Sequence, residues 1–308
     1  MKLINSKDNR IIKEIRKLKE KKYRDEENLY IVEGVKLVEE AIDNKMKIKK
    51  IVLSEDCLGY EVSEDFLQKI YNFCGERSNE IEKEEEKEIK EENKKEKIKK
   101  ENKNGNEKEK EEKNLENKID LILTNASIFS TISDVKTPQG VLAIIEKNTY
   151  NFKVIDFNQD LILALDGVQD PGNLGTILRT ADSCGLNQII ISDDTADPYN
   201  PKVVRSTMGA IYRVKIIRVE NLKETLQKIK EKDFQIMVTT LDSKDSIYNT
   251  SLDKKVLVMG NEANGVSKEV IDISDNKVII PMLGKTESLN VSVATAVVLY
   301  ERTRRKLE

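Results

Sequence analysis

Three polar, glycine-bearing loops hold the residues of this chain that are best suited to chemistry, and each loop follows a short apolar segment. They lie within Leu161 to Gly185, Val256 to Ser267 and Pro281 to Arg305. In open α/β sheets, ligands bind at the loops that leave the carboxyl ends of the strands. The three loops can therefore form one site if their strands are neighbours. Their side chains supply amides, a carboxylate, a hydroxyl and a guanidinium: Asn173, Arg179, Glu262, Ser288 and Asn290.

The chain of 308 residues contains no histidine and no tryptophan. The absence of histidine excludes the commonest general base, the commonest metal ligand and every Ser-His or Cys-His mechanism. The cysteines, Cys57, Cys74 and Cys184, form no CxxC pair, so neither a zinc site nor a disulfide framework is indicated, and we expect no metal. No apolar run approaches the ~20 residues of a membrane span, and no signal peptide opens the chain. We expect a soluble, cytoplasmic protein with no membrane partner.

The loop from Asp166 to Asn173 has the position of a dinucleotide-binding turn, between a strand and a helix. Its glycine spacing is G-x4-G-x2-G rather than G-x-G-x-x-G, and Asp166 and Asp170 would repel a pyrophosphate. This disfavours a nucleotide-dependent oxidoreductase. We expect a tight turn with Asn173 as a plausible helix cap. Arg179 lies among apolar neighbours in that helix and needs an anionic or polar partner.

The helix predicted near the C-terminus is apolar on most of its circumference. Only Ser292 and Thr295 interrupt the apolar and small residues from Val291 to Leu299. Asn290 or Ser288 can cap its first N–H groups. A buried helix beside a ligand site and an ordinary core helix both fit this pattern.

Alternating strand and helix patterns predict an α/β protein with two domains, residues 1–148 and 149–308. In the second domain they predict a largely parallel sheet covered by helices on both faces. The predicted strands are Leu161–Leu165, Gln188–Ile191, Tyr212–Ile217, Gln235–Thr239, Val256–Met259 and Lys277–Ile280. The predicted helices are Leu174–Cys184, Lys202–Met208, Leu222–Lys232 and Val291–Lys306.

The segment from Met1 to Arg24 is strongly basic, with ten Lys and Arg residues against three Asp and Glu. Ile11, Ile15 and Leu18 mark one apolar face of a predicted helix, with Ile12 beside it. The basic residues that flank this face form either a solvated surface or a patch that contacts phosphates.

A charged insertion interrupts the first domain from Glu80 to Lys118. Of its 39 residues, 28 are charged and only four are apolar. Such a segment cannot bury enough surface to offset its ordering entropy, so we expect it to be solvated, either disordered or helical.

The segments DPGNLGTILRTADSCG, MGNEANGVS and IPMLGKTESLNVSVATAVVLYE resemble the three sequence motifs of the SpoU family of RNA 2′-O-ribose methyltransferases, in the SPOUT class. They occur in the family's order and at its separations. The first half is similar to the family's substrate-binding domain, an α/β fold like that of RNA-binding ribosomal proteins. The matching pieces are Lys22 to Arg24, Val32 to Gly34 and Ser133 to Gly140. The resemblance covers nearly the whole chain except the insertion.

This resemblance implies methylation of structured RNA, with S-adenosylmethionine as cofactor and ribosomal RNA as the expected substrate. A transfer-RNA methyltransferase and a catalytically silent RNA-binding protein of the same fold are the alternatives. The resemblance also implies a C-terminal trefoil knot and a homodimer formed through the C-terminal domain.

The resemblance further implies which residues do what. For S-adenosylmethionine these are Met259, Gly260, Asn261, Ile280, Pro281, Met282, Leu289, Asn290 and Val291. For catalysis they are Arg179 at the centre and Asn173, Glu262, Ser288 and Asn290 around it. For RNA they are Arg16, Lys22, Arg24, Glu33, Gly34, Lys136, Thr137 and Gln139. Arg179 is either a general base or a group that holds the adjacent phosphate and lowers the pKa of the hydroxyl, and a guanidinium resists deprotonation.

Overall fold

The computed structural model describes residues 1–75 and 119–308. The charged insertion predicted for Glu80 to Lys118 lies outside the described residues. The described residues divide into two compact units, Met1–Glu146 and Lys147–Glu308. This division falls two residues before the domain boundary that the sequence predicts.

The first unit is a mixed sheet with helices packed against it. Its strands are β1 (Lys2–Leu3), β2 (Leu29–Glu33), β3 (Ile48–Ser54), β4 (Asp120–Thr124) and β5 (Val141–Glu146). Its helices are α1 (Arg10–Lys17), α2 (Lys21–Glu26), α3 (Val35–Asp43), α4 (residues 64–75) and α5 (Ala126–Ile132). The strand order is β1-β4-β3-β5-β2. Strand β4 runs parallel to β1 and β3, whereas β5 runs antiparallel to β2 and β3.

Helix α1 buries one face in the core of the first unit. Ile12, Ile15 and Leu18 are buried there, and Ile11 packs at the margin of the same core. The buried face is therefore centred on Ile12 rather than on Ile11, a shift of one position from the predicted face. Burial of each such side chain stabilises the fold by roughly 1.5–3 kcal/mol. The opposite face of α1 leaves its basic residues exposed to solvent, except Arg16, which is half-buried.

The second unit is a six-stranded, fully parallel sheet, which confirms the predicted architecture. Its strands are β6 (Leu161–Asp166), β7 (Gln188–Ser192), β8 (Lys215–Val219), β9 (Gln235–Thr239), β10 (Lys255–Gly260) and β11 (Asn276–Val278). Its helices are α6 (Pro171–Ser183), α7 (Pro201–Ser206), α8 (Leu222–Lys230), α9 (Lys268–Ile271) and α10 (Val291–Leu307). The strand order is β11-β9-β10-β6-β7-β8.

The order of strands brings the three candidate loops together. Strands β6 and β10 are paired along their whole length, and β9 lies on the other side of β10. Every residue of β6 and of β10 is buried, as expected for strands covered on both faces. Strand β11 lies beyond β9, and because all these strands are parallel, the loops after β6, β10 and β11 leave the same edge of the sheet.

Strand β8 begins later than the sequence predicts. Tyr212, the predicted first residue of this strand, ends a short 3-10 turn, Ala210–Tyr212. Gly209 introduces that turn with φ of 87°, a left-handed conformation that favours glycine. The strand itself starts at Lys215. An apolar run containing Ile211 and Tyr212 fits a strand and a buried turn equally well.

The end of α10 is attached to the sheet by a buried ion pair. Arg302 is 6% exposed, and its guanidinium donates to both carboxylate oxygens of Asp160 at 2.8 and 2.5 Å. It also donates to the carbonyl oxygen of Cys184 at 3.1 Å, and Lys306 donates to Asp160 at 2.7 Å. Burial alone would raise the pKa of Asp160, but the hydrogen bonds from Arg302 and Lys306 outweigh it and hold this pKa well below its usual range.

We expect Arg302→Ala to lower the free energy of unfolding by about 3–5 kcal/mol, because it leaves a partly buried carboxylate without its main partner. The matched variant Arg304→Ala removes an exposed arginine from the same helix and should destabilise the fold less than Arg302→Ala, because its partner Glu301 keeps Arg305 as a second partner. Urea denaturation of both variants measures this.

The effect of Arg302→Ala should depend on pH in one direction. Since the pKa of Asp160 is lowered in the folded state, the stabilisation is complete above the ordinary aspartate pKa of about 4 and is lost as the pH falls below it. An equal loss at neutral and acidic pH would show that Arg302 acts through packing alone.

Candidate active site

A cleft of about 610 Å³ opens at the carboxyl edge of the second unit's sheet. The ends of β9, β10 and β11 and the segment that precedes α10 form its walls. Of the residues predicted to bind a cofactor, those that line the cleft are Met259, Gly260, Asn261, Ile280, Met282, Leu289, Asn290 and Val291. Pro281 is exposed and does not line it.

Gly260 ends β10 at a place where the backbone folds tightly on itself. A Cβ atom here would lie 2.1 Å from the backbone of Gly265 and of Val266. Asn261 and Gly265 exchange two backbone hydrogen bonds of 2.9 Å, which close this turn. Only glycine fits position 260, so the floor of the cleft is main chain rather than side chain.

Asn261 joins the loop after β10 to the loop after β6. Its Nδ2 donates to the carbonyl oxygen of Gly167 at 2.7 Å. Its Oδ1 accepts from the N–H groups of Ala263 and Asn264 at 2.9 and 3.1 Å. The side chain that was predicted to contact a cofactor therefore also shapes the turn on which the neighbouring carboxylate stands.

A chain of side-chain hydrogen bonds connects the three candidate loops. Asn173 Nδ2 donates to Glu262 Oε1 at 2.8 Å, and Asn290 Nδ2 donates to Asn173 Oδ1 at 3.0 Å. Asn290 Oδ1 in turn accepts from the N–H of Ser292 at 2.9 Å and caps α10. We call Glu262, Asn173 and Asn290 the polar triad. The sequence predicts all three as site residues. It also predicts that Asn290 caps the last helix, and this cap is confirmed.

The cap of α6 is Asp170 rather than Asn173. Asp170 Oδ1 accepts from the N–H of Asn173 at 2.8 Å. Pro171 occupies the first helical position, where its missing N–H costs nothing. Since Asp170 caps the helix, the amide side chain of Asn173 is available for Glu262.

Glu262 is held in its ionised form. Burial would raise the pKa of Glu262, but hydrogen bonds from Asn173 and from the N–H groups of Gln169 and Asp170 outweigh burial and lower it. A carboxylate with a lowered pKa is a weak proton acceptor at neutral pH. Glu262 is therefore suited to orienting Asn173 rather than to removing a proton.

Arg179 lies outside the polar triad, on an exposed face of α6. No hydrogen bond or ion pair connects it to any residue that the structure describes. Two of the contacts that hold α6 in place lie close to Arg179. Gly175 packs against Ser206 so closely that a Cβ would lie 2.4 Å from it, and Arg213 pairs with Asp182 at 2.9 Å.

The positions of these contacts show where Arg179 points. Residues 175, 179 and 182 share one face of α6 because they are three and four positions apart. Arg179 therefore emerges between two anchored points, with its charge uncompensated by the described part of the chain. The sequence predicts an anionic or polar partner for Arg179, and a bound ligand would provide it. Ser288, the remaining candidate, lines the cleft from an exposed position.

The wall of the cleft that β9 provides was not predicted from the sequence. Thr239, Thr240, Leu241 and Asp242 line the cleft at the end of this strand. The signal was present, because the strand Gln235–Thr239 is predicted and its carboxyl end faces the same edge as the other loops. No characteristic residue pattern marks this wall.

Arg24, one of the residues predicted to bind RNA, is buried and stabilises the fold. Its side chain is 2% exposed and donates to the carbonyl oxygens of Leu18 at 2.8 Å and Lys19 at 2.7 Å. It fixes the connection between α1 and α2. The prediction that Arg24 contacts RNA is corrected, because a guanidinium buried in this way is not available to a phosphate.

Glu33 and Gly34 also serve the fold. Glu33 is 7% exposed and accepts hydrogen bonds from Ser133 Oγ and from the N–H of Asp134, the latter at 3.0 Å. Gly34 has φ of 108°, and a Cβ there would lie 2.9 Å from Gln139 Oε1. These residues hold the segment Ser133 to Gly140 against β2, so Glu33 is corrected to a positioning role.

The remaining candidates of the first unit are accessible. Lys22, Lys136, Thr137 and Gln139 are exposed. Arg16 is half-buried and donates to Thr131 Oγ1 at 3.0 Å. The exposed candidates thus lie on α2 and on the segment before β5.

In the described residues, no helix is long and apolar enough to cross a membrane. Nor does the described part of the chain hold a group of three or more cysteine, aspartate or glutamate side chains placed to bind a metal ion.

Comparisons with protein families match both units. Residues 160–300 match the SpoU rRNA Methylase family, and residues 9–92 match the MRM3-like substrate binding domain. The chain is 27% identical over 301 residues to the Bacillus subtilis protein named 23S rRNA (guanosine(2553)-2′-O)-methyltransferase RlmP, covering 97% of this chain and 98% of the relative. It is 39% identical over 174 residues to the Bordetella pertussis 23S rRNA (guanosine-2′-O-)-methyltransferase RlmB, covering 54% of this chain and 71% of the relative.

A solved structure of similar fold contains a bound cofactor. The AdoMet-bound rRNA methyltransferase from Sinorhizobium meliloti superposes with a TM-score of 0.77 at 29% identity, covering 100% of this chain and 98% of the other. The likeness therefore extends over the lengths of both chains and is not confined to the parallel sheet.

Proposed function

The chain belongs to the SpoU rRNA methylase family, and on this basis we propose that it transfers a methyl group from S-adenosylmethionine to a ribose 2′-hydroxyl of ribosomal RNA. The observation that carries the proposal is the polar triad beside the cleft. Asn173, Glu262 and Asn290 come from three segments that are distant in the sequence, and Asn173 is hydrogen-bonded to Glu262 at 2.8 Å and to Asn290 at 3.0 Å. Folding is needed to assemble them, as expected for groups that act together.

The cleft fits S-adenosylmethionine. An adenine needs an apolar slot and a few main-chain donors and acceptors. Met259, Ile280 and Leu289 supply apolar lining. Within the described residues, no hydrogen bond uses the N–H groups of residues 282–289, so these donors are free for a ligand. When bound, S-adenosylmethionine supplies a methyl group attached to a positively charged sulfur.

The polar triad positions the reacting ribose. Glu262 fixes the amide of Asn173, and Asn290 fixes its carbonyl oxygen, so this side chain has one orientation. Of the two Nδ2 protons of Asn173, one goes to Glu262, and the other remains for the substrate. Alignment of two reactants in this way can contribute several kcal/mol to catalysis.

Arg179 acts on the phosphate next to the target ribose. Its guanidinium is exposed and unpaired with any described residue, and it can grip a phosphate with two parallel N–H bonds. A positive charge beside the 2′-hydroxyl stabilises the oxyanion that forms as the proton leaves. The proton passes to solvent, since Glu262 is a weak acceptor and a guanidinium resists deprotonation.

The first unit binds the sugar–phosphate backbone of the RNA. The basic face of α1 and the exposed side chains of Lys22 and Lys136 supply positive charge, and Thr137 and Gln139 supply polar contacts. Structured RNA is recognised largely through shape, phosphates and 2′-hydroxyl groups, which this set of side chains can contact without reading bases.

The second unit dimerises through α10. Val293 and Tyr300 are 48% and 54% exposed and share one helix face, since they lie seven residues apart. An exposed apolar face of this kind is typical of a protein interface, and a second copy of the chain presents the same surface for a symmetric dimer. Analytical ultracentrifugation at micromolar concentration should show a dimer, and a monomer would contradict this assignment.

The C-terminal segment forms a trefoil knot around the cleft. Arg305 of α10 donates to the carbonyl oxygens of Ile247 and Thr250, both at 2.7 Å, so the helix lies against the connection between β9 and β10. Asn290 at the other end of α10 reaches α6. Because the C-terminal segment is held at both ends of α10, these contacts support a path in which it passes through the connection between β9 and β10.

The proposed function is tested by mapping 2′-O-methyl positions in RNA from cells with and without this protein. We place the reaction in the cytoplasm and expect one or a few positions in ribosomal RNA to lose the methyl group. If the lost positions lie in transfer RNA instead, the substrate assignment is wrong although the chemistry stands. If no position changes, the proposal fails.

A further inference from the structure

Every charged side chain that lines the cleft is a carboxylate. Asp242, Glu262 and Glu287 line it, and no lysine or arginine of the described residues does so. Asp242 and Glu287 are both exposed. No ion pair connects either of them to a described cation. The cleft therefore has a net negative charge that the described part of the chain does not neutralise.

Glu262 contributes to this charge because its partners are neutral. It accepts hydrogen bonds from an amide side chain and from two backbone N–H groups, none of which carries a full positive charge. These bonds keep it ionised without cancelling its charge. A cation bound in the cleft would experience all three carboxylates.

We infer that Asp242, Glu287 and Glu262 make the cleft select the positively charged cofactor over the neutral product of the reaction. The inference rests on the proposed function. Methyl transfer breaks the sulfur–methyl bond and leaves its electron pair on sulfur, while a bond forms between the methyl carbon and the ribose oxygen and the hydroxyl proton goes to solvent. The bound ligand thus loses one positive charge in each turnover.

Loss of that charge lowers the affinity of the cleft for the product relative to the cofactor. The thioether product keeps the adenosine and amino-acid groups of the cofactor, so apolar and main-chain contacts hold both equally. The carboxylates attract only the sulfonium form more strongly, and the attraction disappears when the methyl group leaves. The chain uses this difference to release the product and to bind fresh cofactor in its presence.

Isothermal titration calorimetry with three ligands tests the inference: S-adenosylmethionine, its thioether product S-adenosylhomocysteine, and sinefungin, in which a carbon bearing a protonated amino group replaces the methylated sulfur. For the wild-type protein we expect the two cationic ligands to bind about tenfold more tightly than the thioether at low salt. In the double variant Asp242→Asn, Glu287→Gln this ratio should fall at least about threefold, since exposed charges each contribute a factor of roughly two to five. High salt should reduce the wild-type ratio in the same direction.

A matched double variant, Asp253→Asn with Glu220→Gln, removes two exposed carboxylates of the same unit that do not line the cleft. Its ratio should equal that of the wild type. Unchanged affinity for the thioether shows that the Asp242, Glu287 variant is folded. An unchanged ratio of affinities in the Asp242, Glu287 variant overturns the inference. An equal loss of affinity for all three ligands also overturns it, because the carboxylates would then contact groups that the three ligands share. If the wild-type protein binds none of the ligands, the proposed function itself fails.

Discussion

Replacement of Arg179 by alanine is expected to reduce methyl transfer by about 10²- to 10³-fold, while affinity for S-adenosylmethionine stays within a few-fold of wild type. The reason is the location of the side chain. Arg179 does not line the cleft, is exposed, and makes no hydrogen bond or ion pair with any described residue. Its removal therefore leaves the fold and the cofactor site intact and deprives only the RNA of a contact. Single-turnover methylation and calorimetric cofactor binding measure the two effects.

Arg179→Lys separates the two roles that the sequence leaves open. A lysine keeps a positive charge and can lose a proton, but it lacks the planar fork that grips a phosphate in two places. If Arg179 contacts phosphate, the lysine variant should be nearly as slow as the alanine variant at every pH. Partial activity that rises with pH would identify a general base instead.

The control for both substitutions is Arg213→Ala. Arg213 packs against the same helix but already pairs with Asp182, so its charge is compensated within the chain. We expect this variant to retain activity within a few-fold. A near wild-type rate for Arg179→Ala, with RNA and cofactor bound normally, would remove Arg179 from the mechanism.

Glu262→Gln should lower the rate of the chemical step by about 10- to 100-fold and cofactor affinity by less than about tenfold. The carboxylate accepts from Asn173 and from the N–H groups of Gln169 and Asp170. A glutamine has one oxygen and must turn its own N–H₂ toward one of these donors. A donor left without an acceptor costs about 1–3 kcal/mol, and the polar triad loses its orientation.

A pH profile distinguishes this positioning role from acid–base chemistry. Because its hydrogen bonds lower the pKa of Glu262, the wild-type residue is charged at and above neutral pH, and its charge is lost only as the pH falls below the ordinary glutamate range. Glu262→Gln should therefore reduce activity by a constant factor between about pH 6 and 9. A variant whose deficit changes with pH in that range would show that Glu262 exchanges a proton. Glu269→Gln, at an exposed position of α9, serves as the control.

The parallel sheet could be predicted because its strands leave a strong signal in the sequence. Leu161–Leu165 and Val256–Met259 are short, continuous apolar runs, as required for strands buried on both faces. The cap by Asn290 could be predicted because asparagine is favoured at the N-cap and Asn290 directly precedes a long apolar helix.

The arrangement of hydrogen-bonded side chains could not be predicted in the same way. Asp170 and Asn173 are both good capping residues, and only the start of α6 at Pro171 decides between them. Arg24 and the lysines near it have the same charge and the same local pattern. Its burial depends on the path of the chain from α1 to α2, which brings two carbonyl oxygens to its guanidinium. Pairing across distant segments leaves no periodic trace in the sequence.

The most direct test of the central claim locates the transferred methyl group. Purified protein is incubated with unmodified ribosomal RNA and S-adenosylmethionine that carries an isotopically labelled methyl, and the RNA is digested to nucleosides for mass spectrometry. We predict that the label is found in a 2′-O-methyl nucleoside, at about one methyl per RNA, with almost none for Arg179→Ala. Label on a base alone, or no transfer by wild-type protein that binds both RNA and cofactor, would contradict it.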